Sequence, residues 1–293
     1  MLAELRQRLQ ALQSPAGIED NPGPLALGVE PIDLALGGGL ARGALHEIAA
    51  ASEAHLAAAT GFALGMVSRA HPVIPGQPHE PEGRMRTSPE SMTPAAAHGF
   101  RARPFGPSRN DAVLWIAEDM ALAESGVPYG PGLDAFGLAP ERLAIVSVAY
   151  KRDLLWAMEE SMRCRAVSAV IGELRHDAID MVAVRRLSLA AAESGALALL
   201  LRVAPPSDAS TAATRWIVGA SSPSPGALSR ADLPPPGGGE RNARFAVRLI
   251  RNRRGPVGSW IIEWSDGDEC FALATHAQPV AAPALDRPHR KIA

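Results

Sequence analysis

The sequence predicts an α/β fold: a mostly parallel sheet with helices on both faces, ending in a C-terminal antiparallel hairpin. Three observations predict it. Short apolar runs of strand length alternate with segments of helical period, the order that builds parallel sheets from strand–helix units. Several of these runs, Ala112 to Glu118 (AVLWIAE), Ala166 to Leu174 (AVSAVIGEL) and Ala196 to Val203 (ALALLLRV), are continuously apolar. Strands covered on both faces read this way. By contrast, Arg244 to Asn252 alternates, with Phe245, Val247 and Leu249 on one side and Arg244 and Arg248 on the other, as in an antiparallel strand wet on one face.

The chain is organised around its entrance, Leu25 to Arg69. There an Asp-containing turn leads to a glycine cluster (Gly37, Gly38, Gly39), a strand from Leu45 to Ile48, a loop, and an alanine-rich helix from Leu56 to Arg69. The helix stops at His71-Pro72. Residues 71–110 are then rich in Pro, Gly, Ser, His and Arg, too poor in apolar groups to pack, and are expected to be a disordered insertion. After the strand ending at Glu118 come a Gly/Pro turn region (Gly126 to Gly132), a short helix ending at Gly137, and a strand from Leu143 to Val148. Arg152 to Cys164 is expected to be a surface helix with Leu155, Met158 and Met162 on its inner face and Glu159 and Glu160 turned away. Ile179 to Ser194 forms the next helix, closed by Gly195, a residue suited to the left-handed position after a helix end. Thr214 to Ser221 is a further strand, followed by a low-complexity insertion, 222–240. The turn Arg253-Arg254-Gly255-Pro256 joins Arg244–Asn252 to a last strand, Ser259 to Trp264. The expected organisation is an N-terminal amphipathic helix over 1–20, one core over 24–275, and a flexible tail over 276–293.

Composition narrows the function classes. The 293-residue chain carries a net charge of −2, so it lacks the global basic field of a non-specific nucleic-acid binder, and any such contact must be local. Cys164 and Cys270 are its two cysteines and have no metal-ligand spacing, which fits reduced thiols of a cytosolic protein. The first residues lack the apolar centre of a signal peptide, and no run reaches the about 18 apolar residues of a membrane span. A cytoplasmic protein is expected.

The loop after the first strand is where a nucleotide-binding protein holds phosphate. Such a loop needs glycines, so that successive N–H groups face one anion, and a Gly-Lys-[Ser/Thr] to supply an ammonium and a magnesium-binding hydroxyl. Here it reads Ala49-Ala50-Ala51-Ser52-Glu53-Ala54-His55-Leu56, with no glycine and no lysine. Glu53 would place a negative charge beside the phosphates.

Asp33, Leu36, Gly37 to Leu40, Gly43, Leu45 and Glu47 nevertheless keep the spacing "LD x x L G G G L x x G x L x E I". In this the chain resembles the RecA and RadA recombinase superfamily, where that phrase leads into the phosphate loop. With the lysine lost, and with the phrase YGPGLDAFGLAPERL before the strand at Leu143, it is most similar to the ImuA family, RecA-related accessories of error-prone DNA synthesis. The resemblance implies a RecA-like core. It matches Glu118 to the acid that positions the attacking water in active relatives, and Gly172-Glu173 to the end of the strand that carries a magnesium-binding Asp. Both are expected to be vestigial, because loss of the transition-state cation alone removes several kcal/mol of catalysis. Arg251 and Arg253 match the basic positions of the Lys-Asn-Lys or Lys-Asn-Arg hairpin that reaches a neighbouring protomer's ATP in recombinases. The links after the fourth and fifth strands, Arg175 to Ile179 and Ala204 to Ala213, are short where recombinases carry DNA-binding loops.

Two surfaces remain as contact candidates. Arg244, Arg248, Arg251, Arg253 and Arg254 place five arginines within eleven residues, more than the guarding of an exposed sheet edge needs, and suit DNA or an acidic partner. Leu2, Leu5, Leu9 and Leu12 form one stripe of a short helix, which packs either on the chain's own core or on a partner helix. Trp115, Trp156, Trp216, Trp260 and Trp264 could stack bases, but most lie in apolar strands, where core packing is the ordinary role. His46, His55 and His176 follow no metal-binding pattern, and neither a metal nor a cofactor is expected.

The expected function is that of a non-catalytic RecA-like accessory of SOS-induced translesion synthesis, an adaptor in a mutasome. The resemblance implies as partners an ImuB-type polymerase homologue, an error-prone replicative polymerase and, as a further candidate, RecA, with DNA met directly or through them. One alternative is a DNA-stimulated ATPase or recombination mediator with an unusual nucleotide site. Another is an SOS-linked cell-division inhibitor.

Overall fold

Continuously apolar runs are satisfied only where both faces of a strand are covered, and these runs form the centre of one sheet. The computed structural model describes residues 23–70, 112–164, 166–175, 179–205, 210–221, 243–265 and 268–274. Its strands are β1 Ala44–Ala50, β2 Ala112–Glu118, β3 Leu143–Val148, β4 Val167–Leu174, β5 Leu197–Arg202, β6 Thr214–Ala220, β7 Arg244–Asn252, β8 Gly258–Ser265 and β9 Cys270–Leu273. Its helices are α1 Glu30–Ala35, α2 Leu56–Ala70, α3 Asp119–Ser125, α4 Gly130–Asp134, α5 Lys151–Met162 and α6 Met181–Ser194.

The strands lie in the order β3-β2-β4-β5-β1-β6-β7-β8-β9. From β3 to β6 all neighbours are parallel, and β6 to β9 pair antiparallel. This is the mostly parallel sheet with a C-terminal antiparallel end that the sequence predicts. β4 and β5 are buried along almost their whole length, whereas β3, at the edge, is mostly open.

Helices cover both faces. On one, α2 buries Phe62, Met66 and Val67 against Ile48, Trp216 and the antiparallel strands. Here Phe62 lies 5.4 Å from both Trp216 and Phe271, and Trp264 lies 4.9 Å from Phe271, edge-on. Such pairs add about 0.5–1.5 kcal/mol each to simple burial. On the other face, Leu154, Met158 and Met162 of α5 and Val184 and Leu187 of α6 pack over Leu45, Val170 and Leu200.

The structure departs from expectation in three places. A helix, α3, starts directly after Glu118, in residues 119–125, for which the sequence predicts no element; its seven residues are too few for periodicity to stand out. A further strand, β9, follows the hairpin and pairs with β8, because Phe271 completes the aromatic cluster. In α5 the inner stripe is Leu154, Met158 and Met162 rather than Leu155, Met158 and Met162. Spacing of four keeps that set in line, and Leu155 is displaced to the flank.

Leu2, Leu5, Leu9 and Leu12, the insertions 71–110 and 222–240, and the tail 276–293 lie outside the described residues, as do His176 and parts of both short links. Among the described residues no helix is long and apolar enough to cross a membrane.

Candidate functional site

β1 ends at Ala50, and Ala51 and Ser52 turn the chain into a single 3-10 turn, Glu53–His55, before α2. Two amides of this loop are used within the protein. Ala51 N–H donates to the carbonyl of Val218 at 2.8 Å, and His55 N–H to the carbonyl of Ser52 at 2.9 Å. The imidazole Nδ1 of His55 accepts from the N–H of Ala220 at 3.1 Å. Within the candidate loop Ala50, Ala51, Ser52, Glu53, Ala54 and His55, it is thus Ala51 and His55 that fasten the chain to β6 where a phosphate loop would open. Ser52, Glu53 and Ala54 are exposed, and the loop contributes no cation. Phosphoryl transfer depends on positioning and on charge stabilisation, and the loop carries no lysine or arginine for the second.

The glycine cluster in front of it is a backbone turn. Gly37, Gly38 and Gly39 have φ of 73°, 102° and 131°, and a Cβ on Gly39 would lie 2.3 Å from the carbonyl oxygen of Leu25. Only glycine permits both that conformation and that approach. Leu25 and Leu40 exchange backbone hydrogen bonds of 2.8 Å there. The Asp33 carboxylate accepts from Leu27 N–H at 2.7 Å and Gly28 N–H at 3.0 Å, which fixes the entry to α1. Glu47 is buried and paired with Arg215 Nε at 2.7 Å, and it also accepts from the Ser210 hydroxyl. These motif residues therefore hold the fold together. A charged residue within each of two apolar strands was the readable sign of the Glu47–Arg215 pair, which sequence reasoning missed.

The two candidate carboxylates end adjacent strands but face different surroundings. Glu118, half-buried at the end of β2, lines an open cavity of about 560 Å³ with Tyr150, Lys151 and Arg152. Its neighbour Asp119 accepts from Ser147 of β3. Glu173, at 6% exposure, accepts from the indole N–H of Trp115 at 3.2 Å and from Arg175 Nε at 3.3 Å. Arg175 extends further, to Glu124 at 3.0 Å, the carbonyl of Ala121 at 3.3 Å and the Ser125 hydroxyl. Glu173 is thus committed to a bracket that seats α3 against β4, leaving no open side for a hydrated cation. Trp115 and Arg175 are site residues that the sequence alone did not single out.

The five arginines divide. Arg244 pairs with Glu263 of β8 at 3.1 Å, and Arg254 reaches the carbonyl of Gly37 at 3.4 Å. These two brace the sheet end. Arg248 and Arg253 are exposed and Arg251 is half-buried, with no ion pair at any of the three among the described residues. Asn252 between them fixes the turn: its amide donates to the carbonyls of Ala35 at 2.7 Å and Pro256 at 3.1 Å, and its oxygen accepts from Arg254 N–H at 3.0 Å. The hairpin tip is therefore rigidly seated on α1 while its outer guanidinium groups face water.

Among the tryptophans, Trp115, Trp216 and Trp264 are buried, Trp260 is half-buried, and Trp156 is 62% exposed. His46 is fully buried between the Thr214 hydroxyl at 2.7 Å and the carbonyl of Ala41 at 2.9 Å. Burial pushes its pKa down to about 4. Among the described residues no three His, Cys, Asp or Glu side chains come together in a metal-ligating group.

No family model matches. Protein ImuA of Caulobacter vibrioides, from strains NA1000 / CB15N and ATCC 19089 / CIP 103742 / CB 15, is 28% identical over 187 residues, spanning 63% of this chain and 73% of the relative. The crystal structure of the RadB recombinase superposes with a TM-score of 0.49 at 12% identity, covering 85% of this chain and 99% of that one.

Proposed function

We propose, from its 28% identity to Protein ImuA over 63% of the chain, that this is a RecA-like, non-catalytic accessory of SOS-induced, error-prone translesion DNA synthesis, acting as an adaptor. Its partners in this reading are an ImuB-type polymerase homologue, an error-prone replicative polymerase and RecA, with DNA met directly or through them. It works in the cytoplasm. The observation that carries the reading is the loop from Ala50 to His55: the frame around it is kept, but the Ala51 amide and the His55 ring close on β6 and the loop brings no lysine or arginine. A protein that keeps the frame and gives up the phosphate cradle has the frame left for holding other proteins.

The test pairs two measurements on the purified full chain. ATP turnover is expected to be absent, with or without single-stranded DNA, and the chain is expected to co-elute with the ImuB-type polymerase homologue of the same genome. Turnover that disappears in Glu118→Gln would establish the DNA-stimulated ATPase instead. Absence of turnover together with no complex, and unchanged damage-induced mutation on deletion, would reject the adaptor.

A further inference from the structure

The outer face of α5 and α6 carries an apolar surface that the sheet does not need. Trp156 of α5 and Val182 and Leu189 of α6 are 62%, 68% and 54% exposed, while the inner stripes of the same helices are buried. Val182, Arg185, Arg186 and Leu189 follow at the spacing that puts them on one side of α6. Between the helices, Leu155, Trp156 and Leu187 line a groove of about 180 Å³ whose rim includes Arg152 and Arg186.

The charge around the groove is sorted. Glu159 is held by Arg186 at 2.5 Å and Arg163 at 3.4 Å, and Glu160 by Arg163 at 2.9 Å. Its carboxylates are thus neutralised from within. Among the described residues Arg152 meets the exposed Asp153 at 3.3 Å and the Tyr150 ring, whose centroid lies 5.3 Å away. Arg185 is exposed and has no ion pair among the described residues. Beside the groove the Arg185 guanidinium is thus left over among the described residues, and at its rim Arg152 shares one exposed carboxylate.

We propose that this face docks an amphipathic segment of a partner protein, whose apolar side chains fill the groove against Trp156 and whose flanking carboxylates meet Arg152 and Arg185. Tryptophan and arginine together are the residues that most often dominate protein interfaces. Nucleic acid fits less well: bases stack on aromatic rings, but Val182, Leu155 and Leu189 offer them nothing, and Glu159 and Glu160 would stand among the phosphates. The surface is separate from the arginine hairpin, which lies at the opposite end of the sheet, beyond β6. Only the identity of the natural partner rests on the adaptor reading.

The test uses the full chain and two fluorescein-labelled synthetic helices, with Leu and Phe at i, i+3, i+4 and i+7 and either Glu or Lys at the remaining positions. Anisotropy is expected to show binding of the Glu peptide, weakened at least tenfold by Trp156→Ala and separately by Arg185→Glu, and no binding of the Lys peptide. Both side chains are exposed, so melting temperatures should match the unsubstituted chain. Failure of the Glu peptide to bind, equal binding of both peptides, or indifference to both substitutions would overturn the proposal. So would Trp156-dependent binding of an oligo-dT strand or Trp156-dependent self-association in place of peptide binding. The ImuB-type polymerase homologue is then added as competitor. Displacement identifies it as the occupant, and failure to displace a Trp156-dependent peptide counts against the adaptor reading while the docking face stands.

Discussion

Arg175 turns back across the end of its own strand to hold Glu173, Nε to carboxylate oxygen at 3.3 Å, with both side chains almost wholly buried. Where the resemblance to ATPases leads one to seek a carboxylate facing a metal ion, the chain has a carboxylate facing its own guanidinium. The same arginine ties down Glu124, Ala121 and Ser125, so the bracket joins β4 to α3.

Removing one member of a buried pair leaves the other uncompensated, at a cost of about 3–5 kcal/mol. Arg175→Ala should therefore lower unfolding free energy by about 3 kcal/mol in urea titrations. Glu173→Gln, which keeps an acceptor for the Trp115 indole, should cost less. An Arg175→Ala protein as stable as the parent would show that Glu173 needs no internal partner.

Close packing makes a second expectation at Gly65. A Cβ placed there would stand 2.4 Å from Phe271 Cζ and 3.0 Å from Trp264 Cε3, both inside the aromatic cluster under α2. Although alanine is the better helix former, overfilling such a core costs about 1–3 kcal/mol. Gly65→Ala should lower the melting temperature. A rise would mean that β9 yields readily and that its contact with α2 is loose.

What was legible in the sequence follows from how each element is held. β2, β3 and β7 were read with their observed ends because continuous or alternating apolar patterns stop sharply at Glu118, Val148 and Asn252. The empty phosphate loop was legible too, since the missing glycine and lysine are matters of residue type. Partnerships across the sheet were not. Trp115 and Glu173, Glu47 and Arg215, and Asn252 and Ala35 are 58, 168 and 217 residues apart in sequence, and only the order of strands brings them together. The likeness of the arginines to a contact surface was visible, but their division into braces (Arg244, Arg254) and water-facing groups (Arg248, Arg253) depends on where Glu263 and Gly37 fall.

His46 gives the fold a pH dependence of definite sign. Its pKa lies at about 4 in the folded chain against 6.5 for an ordinary histidine, because burial disfavours the charged ring more than its bond to the Ala41 carbonyl favours it. Above pH 6.5 both states are neutral at this residue and its contribution is fully present. As pH falls below 6.5 the unfolded chain takes up a proton that the folded chain refuses. Stability should then drop by up to about 1.4 kcal/mol per pH unit until pH approaches 4, where the folded ring also protonates. Urea midpoints between pH 7 and pH 4.5 should show the decline, and His46→Gln should flatten it. An unchanged slope in the variant would assign the decline to other groups.

The hairpin carries five arginines within eleven residues on a chain whose net charge is −2. Arg254 and Arg244 are engaged with Gly37 and Glu263, so a charge-mediated contact falls to Arg248, Arg251 and Arg253. Asn252 fixes the tip on α1 independently of those side chains, so removing them should leave the backbone in place. Replacing Arg248, Arg251 and Arg253 by Ala should weaken a partner or DNA complex by about 0.5–1 kcal/mol per exposed contact, more at low salt than at high. The melting temperature should stay close to that of the parent. Binding titrations at two salt concentrations, run beside a melting curve, measure both effects. Unchanged affinity with a lowered melting temperature would reassign the three arginines to bracing the sheet end and leave the groove around Trp156 to carry the partner contact.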